Sequence, residues 1–201
     1  MIDDCTALIL AGGVSRRMGR DKAVLQLGGQ SLLQRATGLM RTLFPAILLS
    51  VQQPRGDIDP AIPQVFDDIA AAGPLAGLCA GLRRASTPWV FAMAVDMPYL
   101  RPEIIQRLAA LRANHQAVVP VAAGHLQCLA AFYAATALPA LQSVLESAGA
   151  HSMRTALTVL DVRRVDEYSL YAADAHPQSF ADLDTPEDFA RARRYFGTLS
   201  Q

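Results

Sequence analysis

No apolar run in the sequence approaches the length of about eighteen residues that a membrane-spanning helix needs. An excess of charge is missing as well: 18 basic residues balance 18 acidic ones, and the formal net charge is zero. Such a balance gives no broad attraction to nucleic acid or lipid headgroups, so an anionic ligand must be held by local charges. Cysteine is scarce. Cys5, Cys79 and Cys128 are odd in number, far apart and set among apolar neighbours, which reads as buried free thiols in a reducing compartment. The histidines, His115, His125, His151 and His176, have no ligand spacing and read as ordinary solvent-facing or loop residues. Repeats, low-complexity stretches and linkers are absent. The start, MIDDCTALILAGG, has no basic segment and runs at once into a Gly-rich loop, so it reads as a first strand and not as a signal peptide. A cytoplasmic location is the expectation.

What is present is 201 residues, 52% of them apolar. That is enough for one domain over residues 1–201 to bury a core without disulfides. Short apolar runs at Thr6–Ala11, Ala46–Val51, Gln64–Phe66, Trp89–Val95, Ala117–Val121, Gln127–Tyr133 and Val159–Val165 read as strands. Between them, helical periodicity marks Ser31–Leu43, Leu75–Ala85, Pro102–Leu111, Leu138–Ser147, Ser152–Leu157 and Thr185–Tyr195. Ser31 with Gln34 forms a capping box, and Thr185 with Pro186 and Asp188 marks the start of the last helix. Alternation of this kind predicts a mostly parallel sheet covered by helices on both faces, an α/β/α arrangement. Ligands of such sheets bind at the carboxyl ends of the strands, which singles out the loops Gly12–Lys22, Asp67–Gly77 and Asp96–Tyr99.

In the first loop, Gly12 and Gly13 allow close backbone approach to a ligand, and successive amides can form an anion-binding concavity. Arg16, Arg17, Arg20 and Lys22 add positive charge around Asp21. A triphosphate is the natural occupant, although the spacing is neither G-x-x-x-x-G-K-[ST] nor G-x-G-x-x-G. Asp96 ends the apolar run WVFAMAV. A carboxylate there suits Mg²⁺, which takes carboxylate and phosphate oxygens and keeps several waters. The bland readings are a solvated basic loop and a strand-end turn. For Asp67–Asp68 and Gly73-Pro74 they are a turn and a helix cap, and for Asp182-Leu-Asp184 they are capping and complementarity to the helix dipole.

Residues 10–22, LAGGVSRRMGRDK, match the L-A-G-G-x-S-x-R-M-G-x-D-K pattern of NTP-transferase-like proteins. They most closely resemble molybdenum cofactor guanylyltransferases, the MobA family. The likeness continues in GPLAG at Gly73–Gly77, in Asp96-Met97-Pro98, and in the T-P-E-D helix start at Thr185–Asp188. It implies a three-layer α/β/α, Rossmann-like nucleotidyltransferase fold. It also implies transfer of GMP from GTP to molybdopterin or Mo-molybdopterin with release of pyrophosphate, and Mg²⁺ as cofactor. By the same analogy Leu10, Ala11, Gly12 and Gly13 cradle GTP, and Lys22 and Arg16 contact its phosphates. Arg17 and Arg20 read as solvated charges beside them. Asp68 contacts GTP, Gly73, Pro74, Leu75 and Gly77 lie near the base, and Asp96 holds the metal. Ser50 stands where guanylyltransferases often carry a GTP-contacting Asn, and Asp182 and Asp184 stand where they usually carry asparagines. The resulting D-x-D-T-P string resembles the cytidylyltransferase branch, the MocA type. A transferase using CTP, with molybdopterin or another small phosphate as acceptor, is therefore one alternative, opposed by the LAGG start and GPLAG. A non-catalytic nucleotide-binding protein that docks on a molybdoenzyme or its chaperone is another, opposed by Lys22 and Asp96.

Overall fold

The strand β1 (Cys5–Leu10) runs through the middle of the sheet that positions the site. The computed structural model describes residues 1–12, 21–66, 73–147, 152–171 and 178–198. After β1 come a 3₁₀ turn at Lys22–Val24, a small hairpin of β2 (Gln26–Leu27) and β3 (Gln30–Ser31), then α1 (Leu32–Leu43). Next are β4 (Ala46–Val51), β5 (Gln64–Phe66), α2 (Gly73–Arg84), β6 (Trp89–Ala94) and α3 (Pro102–Ala109). The remainder holds β7 (Ala117–Ala122), β8 (His125–Leu126), β9 (Ala130–Ala134), α4 (Leu138–Glu146), α5 (Met153–Leu157), β10 (Val162–Asp166), α6 (Glu167–Tyr171) and α7 (Pro186–Thr198).

The main sheet has the order β10-β7-β9-β6-β1-β4-β5, with β8 paired to β7. The pairs β1–β4, β1–β6, β4–β5 and β7–β10 are parallel. β9 enters antiparallel between β6 and β7, a direction that apolar patterning alone does not give. The strand expected over Val159–Val165 forms later, as β10. His125 stands on β8 and is exposed there, in keeping with the expected solvent-facing position.

Side-chain alternation along the strands feeds two cores, one on each face. Ala7, Ile9, Phe91, Met93 and Phe132 enter one core, beneath α1, α3 and α7. Leu8, Val90, Ala92, Ala131 and Tyr133 enter the other, beneath α2, α4 and α5. This gives the α/β/α layering. On the first face Phe44, Phe91 and Phe132 cluster, with centroids 4.7 Å apart for the closest pair; such pairs add about 0.5–1.5 kcal/mol beyond the area they bury. Cys5, Cys79 and Cys128 are all buried and free. Burial pushes the thiols of Cys5 and Cys79 up to about 12 and about 11. Among the described residues no helix is long and apolar enough to cross a membrane.

Both predicted caps form. Ser31 accepts from the Gln34 amide, and the Gln34 side chain accepts from the Ser31 amide. At the start of α7, Asp188 accepts from the Thr185 amide at 3.0 Å and Thr185 Oγ1 accepts from the Asp188 amide at 3.1 Å. Thr185 and Asp188 therefore cap this helix, which leaves the carboxylate of Asp184 to another partner.

Candidate active site

The carboxyl ends of β1, β4 and β6 lie side by side, and a cleft of about 230 Å³ opens above them. β1 contributes Leu10 and the residues Ala11 and Gly12 that follow it, β4 contributes Ser50, and β6 contributes Ala94 with Val95 and Asp96 beyond its end. Gly73, Pro74 and Gly77 of α2 form one wall, and Asp21 and Lys22 form the opposite end. The floor is stitched into the sheet: the Ala11 amide donates to Ser50 O at 2.9 Å and the Val95 amide donates to Leu10 O at 3.1 Å. The Ala11 amide is thus committed to the fold and not directed at a ligand.

The 3₁₀ turn carries Lys22 into the cleft. Asp21 caps that turn by accepting from the Ala23 amide at 2.9 Å, and Ala23 is buried beneath it. Lys22 Nζ donates to Asp96 Oδ2 at 2.6 Å and to Asp184 Oδ1 at 2.8 Å. The Lys22 and Asp96 side chains are only 13% and 16% exposed, whereas that of Asp184 is 50% exposed. Burial opposes the Lys22 charge, but hydrogen bonds to Asp184 and Asp96 and their negative charges outweigh it, and its pKa rises above the ordinary value. Asp182 is exposed and does not line the cleft. Partial loss of water and the charges of Asp184 and Asp96 raise its carboxyl above the usual range, with Lys22 opposing. The Asp96 carbonyl accepts from the Leu183 amide at 3.1 Å, which ties the Asp182–Asp184 segment to the end of β6.

The α2 wall is built differently. Gly77 packs against β4 and β1 so closely that a Cβ there would sit 2.5 Å from Ser50 Oγ and 2.9 Å from Leu10 Cδ2. A helix can lie this near the strand ends only where that position has no side chain. Leu75, expected near a base, faces away: it is fully buried in the core on the α2 side.

Of the residues singled out by sequence, Leu10, Ala11, Gly12, Lys22, Ser50, Gly73, Pro74, Gly77 and Asp96 thus meet at one cleft, and Asp184 reaches it through Lys22. Leu75 and Asp182 do not line it. Gly13, Arg16 and Asp68, with Arg17 and Arg20, lie outside the described residues. Sequence reasoning missed Leu129, which lines the cleft because β9 pairs antiparallel with β6 and brings Leu129 O to the Ala94 amide. It also passed over a plain signal: Lys22 is the only lysine in the chain, every other strong cation being arginine.

Residues 7–162 match the family model described as the MobA-like NTP transferase domain. A protein of Pelotomaculum thermopropionicum named "probable molybdenum cofactor guanylyltransferase" is 32% identical, over 94% of this chain and 91% of its own length. One of Opitutus terrae with the same name is 36% identical, over 92% and 93%. Among solved structures, molybdopterin-guanine dinucleotide biosynthesis protein A from Archaeoglobus fulgidus superposes with a TM-score of 0.83 at 24% identity, covering 96% of this chain and 99% of that one. That likeness bears on the fold.

Proposed function

The chain belongs to the MobA-like NTP transferase family, a family of nucleotidyltransferases, and from that premise we propose that it transfers GMP from GTP to molybdopterin or Mo-molybdopterin. The observation that carries the reading is the contact of Lys22 with both Asp96 and Asp184 inside a cleft formed by three strand ends and a Gly-containing helix start. One domain over residues 1–201 would suffice for the reaction.

An oxygen of the acceptor's terminal phosphate attacks the α-phosphorus of GTP. An O–P bond forms, the bond from the α-phosphorus to its bridging oxygen breaks, and pyrophosphate leaves with that oxygen and its charge. The nucleophile is already anionic, so a base is not required; positioning and charge neutralisation carry the step. Lys22 stays protonated in this environment and donates to phosphate oxygens as charge grows on the departing group. Ser50 and the Gly73–Gly77 wall, which line the same cleft, receive the base. Arg16 and Asp68 are proposed as further phosphate and nucleotide contacts, and Gly13 as part of the phosphate cradle.

Mg²⁺ is the cofactor this reading implies, and the donors fit it. Asp96 and Asp184 already share one cation, the Lys22 ammonium. Among the described residues no cluster of three or more ligating side chains exists, so phosphate oxygens and water would complete the shell, as Mg²⁺ prefers. Asp96 and Asp184 would hold the ion, which when bound supplies charge neutralisation and polarisation at the reacting phosphorus.

The test is pyrophosphate release with Mg²⁺ and molybdopterin, comparing GTP, CTP and ATP. GTP should be preferred, and it alone should raise the melting temperature strongly; a ligand at a hundred times its dissociation constant adds about 2.7 kcal/mol. A larger Mg²⁺-dependent shift with CTP would move the protein to the cytidylyltransferase branch. Binding of GTP with no pyrophosphate formed would make it an accessory protein.

A further inference from the structure

A second cavity, of about 340 Å³, adjoins the cleft and shares Ala11, Gly12 and Asp21 with it; Arg55 is among its lining residues. Arg55 lies in the irregular segment between β4 and β5, where a long side chain would ordinarily move freely, yet its side chain is only 14% exposed. Its backbone is held on both sides by one residue of β5. The Arg55 amide donates to Gln64 Oε1 at 2.9 Å, and Gln64 Nε2 donates to Arg55 O at 2.7 Å. Its guanidinium is held by Asp57, with Nε and Nη2 donating to the two carboxylate oxygens at 3.0 and 2.7 Å. That fork fixes the plane of the group and leaves Nη1 aimed at Asp21 Oδ2, to which it donates.

Asp21 divides its oxygens. Oδ2 takes Arg55, while Oδ1 accepts from the Ala23 amide and starts the 3₁₀ turn on which Lys22 sits. On the downstream side the turn is fixed by the buried Ala23 and by the Leu32 amide donating to Leu25 O at 2.9 Å. Among the described residues, the tie from the Asp21 side chain to a part of the chain outside the turn is the one to Arg55. We propose that Arg55 is a positioning residue: pinned to β5, it holds Asp21 and, through it, the direction in which Lys22 enters the cleft. The catalytic half of this inference rests on the nucleotidyltransfer reading above, while the geometric half does not.

Because Lys22 is the only lysine, its environment can be read directly. An amine-acylating reagent has two targets in the full chain, Lys22 and the N-terminal amine of the exposed Met1, and the second serves as internal standard. In the wild type, Lys22 should acylate slowly relative to Met1. In Arg55→Met and in Asp21→Asn its relative rate should rise about tenfold, and the double variant should show no more than either single one; Arg55→Lys, which adds an amine of its own, is read by turnover, where it should recover part of the rate lost in Arg55→Met. In turnover, Arg55→Met should lower kcat about tenfold with KM for GTP within a few-fold, the signature of a displaced group rather than a lost ligand.

Unchanged Lys22 acylation in Arg55→Met overturns the proposal, and so do additive effects of Arg55→Met and Asp21→Asn. A rise confined to KM overturns it too, making Arg55 a direct nucleotide contact. If Arg55→Met melts early, Asp21→Asn, which leaves Gln64 and Asp57 on Arg55, repeats the acylation test in a folded protein. A wild type that releases no pyrophosphate from GTP refutes the functional reading and leaves the acylation result to judge the clamp.

Discussion

At one end of the cleft one ammonium, that of Lys22, donates to two carboxylates, those of Asp96 and Asp184. At the other, a glycine lets a helix press against two strands. The Lys22 end draws its partners from residues 22, 96 and 184, so it exists only once β1, β6 and the lead-in to α7 are assembled. The Gly77 end is a packing feature: what matters is how closely the missing side chain lets α2 approach Ser50 and Leu10. If the first end acts on developing charge and the second on ground-state binding of the base, substitutions should separate them kinetically. Changes at the charged end should fall on kcat, and changes at the packed end on KM.

Asp96→Asn should have the largest effect. It keeps the shape of the side chain but removes the less exposed of the two carboxylates on Lys22 and the anionic oxygen expected to hold metal. Pyrophosphate release should fall by about a thousandfold, at the upper end of what losing one preorganised electrostatic contact costs. The protein should remain folded and still bind GTP, and high Mg²⁺ or Mn²⁺ should restore part of the rate. Turnover within a few-fold of wild type would take Asp96 out of the site.

Lys22→Ala comes next. Losing the ammonium should cost on the order of 2–4 kcal/mol of barrier. It also leaves Asp96 and Asp184 facing each other without a shared cation, so the melting temperature should drop by a few degrees, at about 2–4 °C per kcal/mol for a chain of this size. Near-normal single-turnover rates at saturating GTP would end the assignment of Lys22 to the leaving group.

At the packed end Gly77→Ala should raise KM for GTP about tenfold, or about 1.4 kcal/mol, with kcat nearly unchanged. The added methyl cannot stay 2.5 Å from Ser50 Oγ, so Ser50 or the helix must move into the space proposed for the base. Greater helix propensity, worth about 1 kcal/mol, offsets part of the crowding and keeps the fold. A fall in kcat matching that of Lys22→Ala would mean that the two ends are not separable.

The two ends also differ in how far they could be read from sequence. The strand ends were legible because apolar period is a local signal, the Gly73–Gly77 wall because it follows a strand end and its GPLAG string resembles a family motif, and the helix starts at Ser31 and Thr185 formed their expected caps. The pairing of Lys22 with Asp184 was not legible. It spans 162 residues, and Asp184 sits where a capping residue would explain it equally well; only the reciprocal bonds of Thr185 and Asp188 show that the cap needs nothing more. The antiparallel entry of β9 escaped for a related reason: an apolar strand reads the same in either direction, and Leu129 reaches the cleft only through that direction. The β2–β3 hairpin escaped because two-residue strands carry no period. Its signal was the Gly28-Gly29 pair, both residues having positive φ.

The smallest effect, and the finest cut between the two ends, should come from Ser50→Ala. Ser50 is 97% buried at the end of β4, and its backbone carbonyl holds the Ala11 amide. Removing the hydroxyl therefore leaves the sheet untouched, and the smaller residue eases the contact with Gly77 instead of tightening it. What is lost is one polar atom on the wall proposed to receive the base. A neutral hydrogen bond contributes about 0.5–1.5 kcal/mol, so KM for GTP should rise by a few-fold while kcat stays level. Discrimination between GTP and CTP should narrow by a similar factor, because the bond would be made to the base and not to the phosphates common to both. If Ser50→Ala instead weakens GTP and CTP equally, the hydroxyl serves the shared part of the nucleotide, and base selection must come from the backbone of the Gly73–Gly77 wall alone. If it lowers kcat and leaves KM unchanged, the packed end takes part in the transition state, and the division between a binding end and a catalytic end fails where the two approach most closely.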